Sequence, residues 1–581
     1  MPASPCASLP RHGIRAAAPW LLFALFSSCS SAEPPPPLPD LPPLAGPVRD
    51  GTGADRDEQA ADASLFANWD DFHDPEGLPV VYEWAVGTSP GGDDIMRWTN
   101  VGGATNASAV GAVLPQGKRV FVSVRARDIA GGCSAVSTSD GVLVGGQAPA
   151  PAPTTGAATG ASAITPAAGD DAGRATTLER FGISWTFDRA ARCGRFVNGD
   201  WWVLGPIKVV NIEPPCVVEA GRVRNGSMIN PDPRSPKHGY DSAIFEPGGA
   251  TGYDASLNVA REVSLAQPLR LDPDRSLVST ISHPQAGQLP QLETCAVLTC
   301  LLQPPPDGAF RPPYCGTDKR CRWKVDSLDT GRLASLAAPD GAPDLSGLAE
   351  RFERPWLDHI GGWAGRQLHP RLNMPDYGRD IADLVGLAGL ALQLDQPLEA
   401  KRPLAIGLIQ LGIDLFGIVD NGGRFVADGG NGSGRKFPIL LAGALLHDDR
   451  LQRCAKTKNL AFAEDVQTFR VEETSPGVWN QGHGDYGAGD NGLPEWGIKH
   501  ADDPSLDNKS WSGDPNRRCC TAHAWHGFVL ATRIMGLVDA WGHDVLFEYV
   551  DRYMQTEPSG NWMRSWNPFA EQMWDRYRAA F

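Results

Sequence analysis

Asp380 to Leu394 reads DIADLVGLAGLALQL, and Pro403 to Val419 reads PLAIGLIQLGIDLFGIV. Both runs are apolar nearly all round and too long for strands. A helix apolar on every face is buried on every face. Their frequent Gly and Ala permit close approach of neighbouring helices. Phe437 to Leu446 and Ala522 to Leu537 repeat the pattern, whereas Asp544 to Met554 is amphipathic and belongs on the outside.

Nested helices of this kind predict an all-α domain over 340–581, with the buried helices as the inner ring of an α/α toroid. The length suits an incomplete ring, and a plain helical bundle is the alternative. Upstream the pattern changes. Within 177–325, Ser184–Phe187, Trp201–Leu204, Ile207–Val210 and Leu277–Ile281 are short strand candidates, and the proline runs at 304–306 and 312–313 exclude helix there. This predicts a second β-sandwich-like domain. A flexible Pro/Ala/Gly/Thr linker (147–176) precedes it. Residues 62–146 alternate as a first sandwich: Leu65–Trp69, Val80–Thr88 and Arg119–Ala126, with Val120, Val122 and Val124 on one face. Residues 30–61 are a Pro-rich, extended tether.

Residues 1–29 form a secretory leader: a basic start, the short apolar run Ala16 to Phe26, then Ser27-Ser28-Cys29. The run is too short to span a bilayer, which needs about 20 apolar residues. Export makes nucleotides and cytosolic cofactors poor candidates. A net charge of −16 argues against nucleic acid. No cofactor is expected, with a structural metal left open. Eighteen Trp in an exported, Gly-rich chain point toward sugars, on whose apolar ring faces an indole stacks. An oxidising compartment favours disulfides, with Cys295/Cys300 and Cys315/Cys321 close enough to staple one region; zinc is the competing reading.

Eight of the twelve His and ten of the eighteen Trp follow residue 350, so an active site is expected there. Four segments compete. The Pro-broken stretch 365–379 crowds His369, Asn373, Tyr377 and Arg379 at the entrance to a buried helix. The Gly-rich loop 428–436 offers backbone N–H groups, Arg435 and Lys436 to an anion, although it lacks the P-loop pattern. The long segment 482–516 carries His483, Tyr486, Trp496 and His500. The stretch 517–526 carries Arg517, His523, Trp525 and His526, the two His three apart on one helix face. His369, Asn373, Tyr377, His483, Tyr486 and His523 are the catalytic candidates. Arg379, Arg435, Lys436, Trp496, His500, Arg517 and Trp525 are the substrate-binding ones.

Three resemblances add to this reading. Ser27-Ser28-Cys29 resembles the lipobox of bacterial lipoproteins, which implies lipidation of Cys29 and an outer-membrane or cell-surface location; an ordinary secretory signal is the alternative. Trp69, Tyr82-Glu83-Trp84 and Val122 to Ala126 look like a fibronectin type III module, with Val120 where that family carries its corner tyrosine. The order of signal, β modules and α/α helices is similar to secreted polysaccharide lyases of the toroid type. That last likeness implies β-elimination on a uronate-containing glycan: a group that neutralises the carboxylate, and a His or Tyr as base and acid. A glycoside hydrolase would instead need two carboxylates across the bond, for which Asp485, Asp490 and Glu495 are candidates. A non-catalytic surface lipoprotein that binds glycan or a partner is the third class. The membrane is expected to be met only through the lipid.

Overall fold

A computed structural model describes the chain from residue 42 onward, except 52–54, 60–64, 76–79, 103–104, 110–113, 129–131, 145–172, 247, 363, 374–377, 426–429, 458–460, 472, 476–477, 480–487, 498–517 and 519. The chain divides into two compact units, Met1–Ser162 and Ala163–Phe581.

Among its described residues the first unit is all β: β1 (Val48–Asp50), β2 (Glu58–Gln59), β3 (Leu65–Trp69), β4 (Val80–Gly87), β5 (Met96–Gly102), β6 (Asn106–Ala109), β7 (Arg119–Asp128), β8 (Ser137–Thr138) and β9 (Val142–Val144). One sheet has the order β1-β3-β6 and the other β2-β9-β7-β4-β5, with β8 on β7. Alternation decides which side chains turn inward. Leu65, Ala67 and Trp69 of β3 meet Tyr82, Trp84 and Val86 of β4 and Val120, Val122, Val124 and Ala126 of β7 in one core. Tyr82 Oη accepts from Phe72 N at 3.0 Å at the edge of this core. The sandwich begins earlier than residue 62. Val48 to Asp50 pair with Trp69 to Ala67, and Leu44 bridges His73, so the end of the expected tether is folded. A three-residue strand inside Pro/Asp/Gly-rich sequence leaves no periodicity to read.

The second unit opens with β10 (Arg174–Arg180), β11 (Ile183–Arg195), β12 (Trp201–Leu204), β13 (Ile207–Glu213), β14 (Val217–Glu219), β15 (Arg222–Arg224), β16 (Ser227–Ile229), β17 (Lys237–His238), β18 (Gly252–Tyr253), β19 (Leu269–Leu271), β20 (Arg275–Ser282) and β21 (Leu292–Leu301). Where two stacked sheets were expected, eight strands form one continuous sheet, β16-β20-β21-β12-β11-β13-β19 with β10 on β11. The first half of β11 pairs with β10 and β13 and its last residues pair with β12. Trp185, Ile207, Leu271, Leu277, Leu298 and Cys300 from both halves share one core. The opposite face of β20 and β21, with Val278, Cys295 and Val297, packs into the core of the helices. That shared core joins the β and helical parts, read from sequence as separate domains, into one unit.

The same alternation corrects the expected disulfides. Cys295 and Cys300 are five apart on β21, so they point to opposite faces: the Cys295 thiol toward Pro355 O, the Cys300 thiol toward Leu271 O. Cys315 lies in the helical core and Cys321 against Trp202 and Leu301. All four are free thiols.

The C-terminal part is helix-rich: α1 (Leu345–Glu350), α2 (Gly365–Leu368), α3 (Gly378–Ala391), α4 (Leu398–Asp420), α5 (Lys436–Leu445), α6 (Asp449–Thr457), α7 (Ala463–Gln467), α8 (His526–Ile534), α9 (Val538–Trp541), α10 (Asp544–Thr556) and α11 (Pro568–Tyr577). It is not all α: Thr468–Arg470 pairs with Pro494–Trp496, and Glu473–Ser475 with Val478–Trp479. By length and composition α4 could cross a membrane, but 83% of its most apolar window is buried within the protein. Within it the buried Asp414 accepts two bonds from the wholly buried Arg311, whose Nε donates to Asp200 at 2.6 Å. This bridge ties the sheet part to the helices.

Candidate functional site

Three of the four segments read from sequence converge. The loop ahead of α5 turns through Gly430 (φ 90°) and Gly434 (φ 84°). A Cβ on Gly434 would sit 2.8 Å from Ala382 Cα of α3, and one on Gly430 2.2 Å from Cys520 O. Only glycine fits that close an approach with that backbone. The loop is thereby pressed between the start of α3 and the turn that carries His523.

On the inner side, Arg435 Nε and Nη2 grip Asp358 at 2.9 Å each, and His369 Nε2 meets Asp358 Oδ1 at 2.7 Å. All three are buried, and His369 Nδ1 has no partner. Against the cost of its burial, Arg435 and the hydrogen bond with His369 hold the Asp358 carboxyl far below the usual range. Lys436 pairs with Asp465, which also accepts from Trp541 Nε1 at 2.7 Å. Burial lowers the Lys436 ammonium. Arg435 and Lys436 are thus committed inside the protein and do not display an open basic loop. Glu464 lies beside this pair, wholly buried, with neither carboxylate oxygen bonded; burial and Asp465 push it up to about 7. Asn373 is buried too, its Nδ2 donating to Pro355 O at 3.3 Å.

On the outer side, Arg379 and Asp383 sit on the first turns of α3. The Arg379 guanidinium lies 3.8 Å from the centre of the Trp566 ring. His523, in the short turn Ala522–Ala524, is buried. Its ring is edge-on to Trp562 (6.3 Å) and Trp566 (5.8 Å), and neither ring nitrogen has a hydrogen-bond partner. Burial, with Arg379 and His526 adjacent, drives the imidazole well below its usual range, offset only in part by the Thr521 backbone. His523 is therefore neutral. Asp383, half-buried and bonded by Asn567 Nδ2 at 3.3 Å, is pushed up to about 7 by desolvation.

Trp562 and Trp566 are 54% and 40% exposed, unusual for indoles this close to a core. The local sequence explains the display. Asn567 caps α11 by accepting from Phe569 N and Ala570 N, with Pro568 at the first helical position. Arg564 pins the turn from inside by donating to Met554 O and pairing with Glu571 and Asp575. Ser565 Oγ meets His526 Nε2 at 2.9 Å. Neither indole was singled out from sequence, although a Trp pair four apart just before an Asn-Pro cap is a legible sign of a rigid turn. Asp358, Asp383 and Glu464 were missed as well, because an acid in an apolar context gives no pattern.

The remaining candidates fall elsewhere. Trp496 and Trp525 are core residues with no exposed surface, Trp525 lying edge-on to Tyr549 at 6.4 Å. Both were expected on a substrate-facing rim; they lie instead where large apolar rings bury the most area. Cys29, Tyr377, His483, Tyr486, His500 and Arg517 lie outside the described residues. No protein-family model matches the chain, and no curated protein matches it.

Proposed function

We propose that this is an exported, surface-anchored polysaccharide lyase that cleaves a uronate-containing glycan by β-elimination. The supporting observation is His523: neutral, without a partner on either ring nitrogen, beside the Arg379 cation and under two exposed indoles. In this reading Trp562 and Trp566 stack on the sugar, and Arg379 neutralises the uronate carboxylate and so acidifies the neighbouring C–H. His523 removes that proton as base. The C–H electron pair becomes the new double bond, the glycosidic C–O bond breaks, and the leaving oxygen takes a proton from a phenol, for which we propose Tyr377. The ion triad of His369, Asp358 and Arg435 positions the Gly430–Gly434 turn against the site. His483, Tyr486, His500 and Arg517 remain proposed members of the same cleft.

The finer fold and location are part of the proposal. Two sheets, β1-β3-β6 and β2-β9-β7-β4-β5, sharing one core support a fibronectin-type module in the first unit. Buried helices beside amphipathic ones support an incomplete α/α toroid. The basic start, apolar run and Cys29 support a lipid anchor.

A glycoside hydrolase is the second reading, favoured by Asp383. A carboxyl that keeps its proton near pH 7 beside Asp380 matches the acid half of a carboxylate pair. One experiment separates the classes. The full chain is incubated with uronate polymers and neutral glycans while unsaturated ends (ultraviolet absorbance) and reducing ends are followed. Both rise together for a lyase, and reducing ends alone mean a hydrolase. Neither, with binding retained, overturns the enzyme and leaves a glycan-binding lipoprotein.

A further inference from the structure

The first unit holds a cluster that plays no part in the site above. Asp50 ends β1, Asp55 follows in the next turn, and Asp140 lies between β8 and β9. One carboxylate oxygen from each lies within 4.8 Å of the other two. Asp50 has no exposed surface, and neither of its carboxylate oxygens has a hydrogen-bond partner. Its main-chain N–H meanwhile donates to Asp55 Oδ1 at 2.8 Å, which draws the second acid in.

The neighbouring cations do not compensate this charge. Arg49 forks onto Asp70 at 2.8 and 2.9 Å. Arg119 donates to the main-chain carbonyls of Asp140 and Gly141, not to a carboxylate. Ser139 and the Gly141 main chain come near the Asp50 carboxylate but bring no positive charge. The fold thus holds a buried carboxylate facing two more. Such a charge costs several kcal/mol unless something positive answers it.

We infer that Asp50, Asp55 and Asp140 bind a divalent cation of the calcium type, which pins β1 to the turn before β9. All three donors are carboxylate oxygens, with no imidazole or thiolate in the set, which disfavours zinc and copper. Calcium holds oxygens at about 2.3–2.6 Å, so two of its ligands can stand nearly 5 Å apart. Magnesium at about 2.0–2.1 Å needs a tighter set. Asp55 and Asp140 are exposed, so an ion has open entry and room for water ligands.

The test uses the full chain freed of metal with a chelator. Calcium chloride is titrated calorimetrically, with magnesium chloride in a parallel arm. The expected result is one calcium site of about 10⁻⁴ to 10⁻³ M affinity, tighter than any magnesium response. Calcium should also slow hydrogen exchange in peptides covering residues 48–59. Asp140→Asn, on an exposed acid, should weaken calcium at least tenfold and leave the calcium-free exchange pattern unchanged. Asp50→Asn should abolish the calcium response and slow exchange of the same peptides without calcium, because the buried charge is gone. No heat and no change in exchange with calcium on the parent chain would overturn the site. So would an Asp140→Asn chain that binds calcium as tightly as the parent.

Discussion

His523 draws its proposed role from what surrounds it. An imidazole in water is half protonated near pH 6.5 and so half useless as a base there. Burial and the Arg379 charge remove that limit by keeping the ring neutral well below pH 6.5. Under the lyase reading, kcat/KM should stay level from about pH 8 down past 6.5. A fall centred on 6.5 would mean that the ring titrates as in water and is not the buried base. His523→Gln keeps a polar side chain of similar reach but cannot accept the proton; it should lower kcat by about 10² to 10⁴. Arg379→Lys keeps the charge but loses the planar fork and the stacking on Trp566, and should raise KM several-fold more than it lowers kcat. A His523→Gln enzyme with full kcat would move the chemistry elsewhere. These roles were half legible. His523 and Arg379 stood out as polar groups beside apolar helices. Trp562, Trp566 and Asp383 did not, because what marks them is exposure or burial, and a sequence states neither.

Elements follow sequence where one face, or every face, is apolar. The runs at 380–394 and 403–419 become α3 (Gly378–Ala391) and α4 (Leu398–Asp420), and the expected close approach is real. A Cβ on Gly412 would lie 2.2 Å from Pro438 O on α5, and one on Gly386 2.7 Å from Phe528 N on α8. Gly412→Ala should therefore destabilise the second unit by about 1–3 kcal/mol through overpacking, whereas Gly489→Ala, which meets nothing within 4 Å, should be near neutral in the same denaturation experiment. β12 appears at the expected residues, Trp201–Leu204. The central strand β21 escaped because it is buried on both faces. Its run LETCAVLTCL lacks alternation, and its two Cys drew the reading toward a disulfide. The Arg311 bridge was illegible for another reason: its partners lie more than a hundred residues away on either side, at Asp200 and Asp414. Arg311→Ala leaves the buried Asp414 without a counter-charge and Asp200 with only Arg180, at 3.7 Å, and should cost about 3–5 kcal/mol. Loss below 1 kcal/mol would mean that the sheet and the helices hold together without it.

Taken whole, the second unit buries titratable groups of opposite habit, and their balance sets its response to pH. Burial pushes His238 down to about 4 and His359 and His526 to about 3, and takes His523 well below its usual range. Each of these rings is neutral in the fold but protonated in the unfolded chain below about pH 6.5. Their contribution is therefore intact above pH 6.5 and lost as pH falls. Glu464 and Asp383 do the reverse. Raised to about 7, they hold protons in the fold that the unfolded chain has released, so their contribution is present below about pH 4 and lost as pH rises toward 7. Between about pH 4.5 and 6.5, four imidazoles against two carboxyls leave a net uptake of about two protons on unfolding. Stability should climb by up to about 3 kcal/mol per pH unit in that window. The climb should slacken near 7 as the two carboxyls ionise and continue above 7, where the unfolded chain keeps the proton that Lys319, held down to about 7 by burial, gives up in the fold. Denaturant unfolding at a series of pH values checks this through the helical circular-dichroism signal, since among the described residues every helix belongs to this unit. Glu464→Gln supplies the internal control. With one opposing proton removed, the acid limb should steepen toward three protons, and stability above pH 7 should rise because no charge is forced into the core. A profile flat between 4.5 and 6.5, or a Glu464→Gln limb no steeper than the parent's, would mean that these groups titrate alike in the folded and unfolded chain.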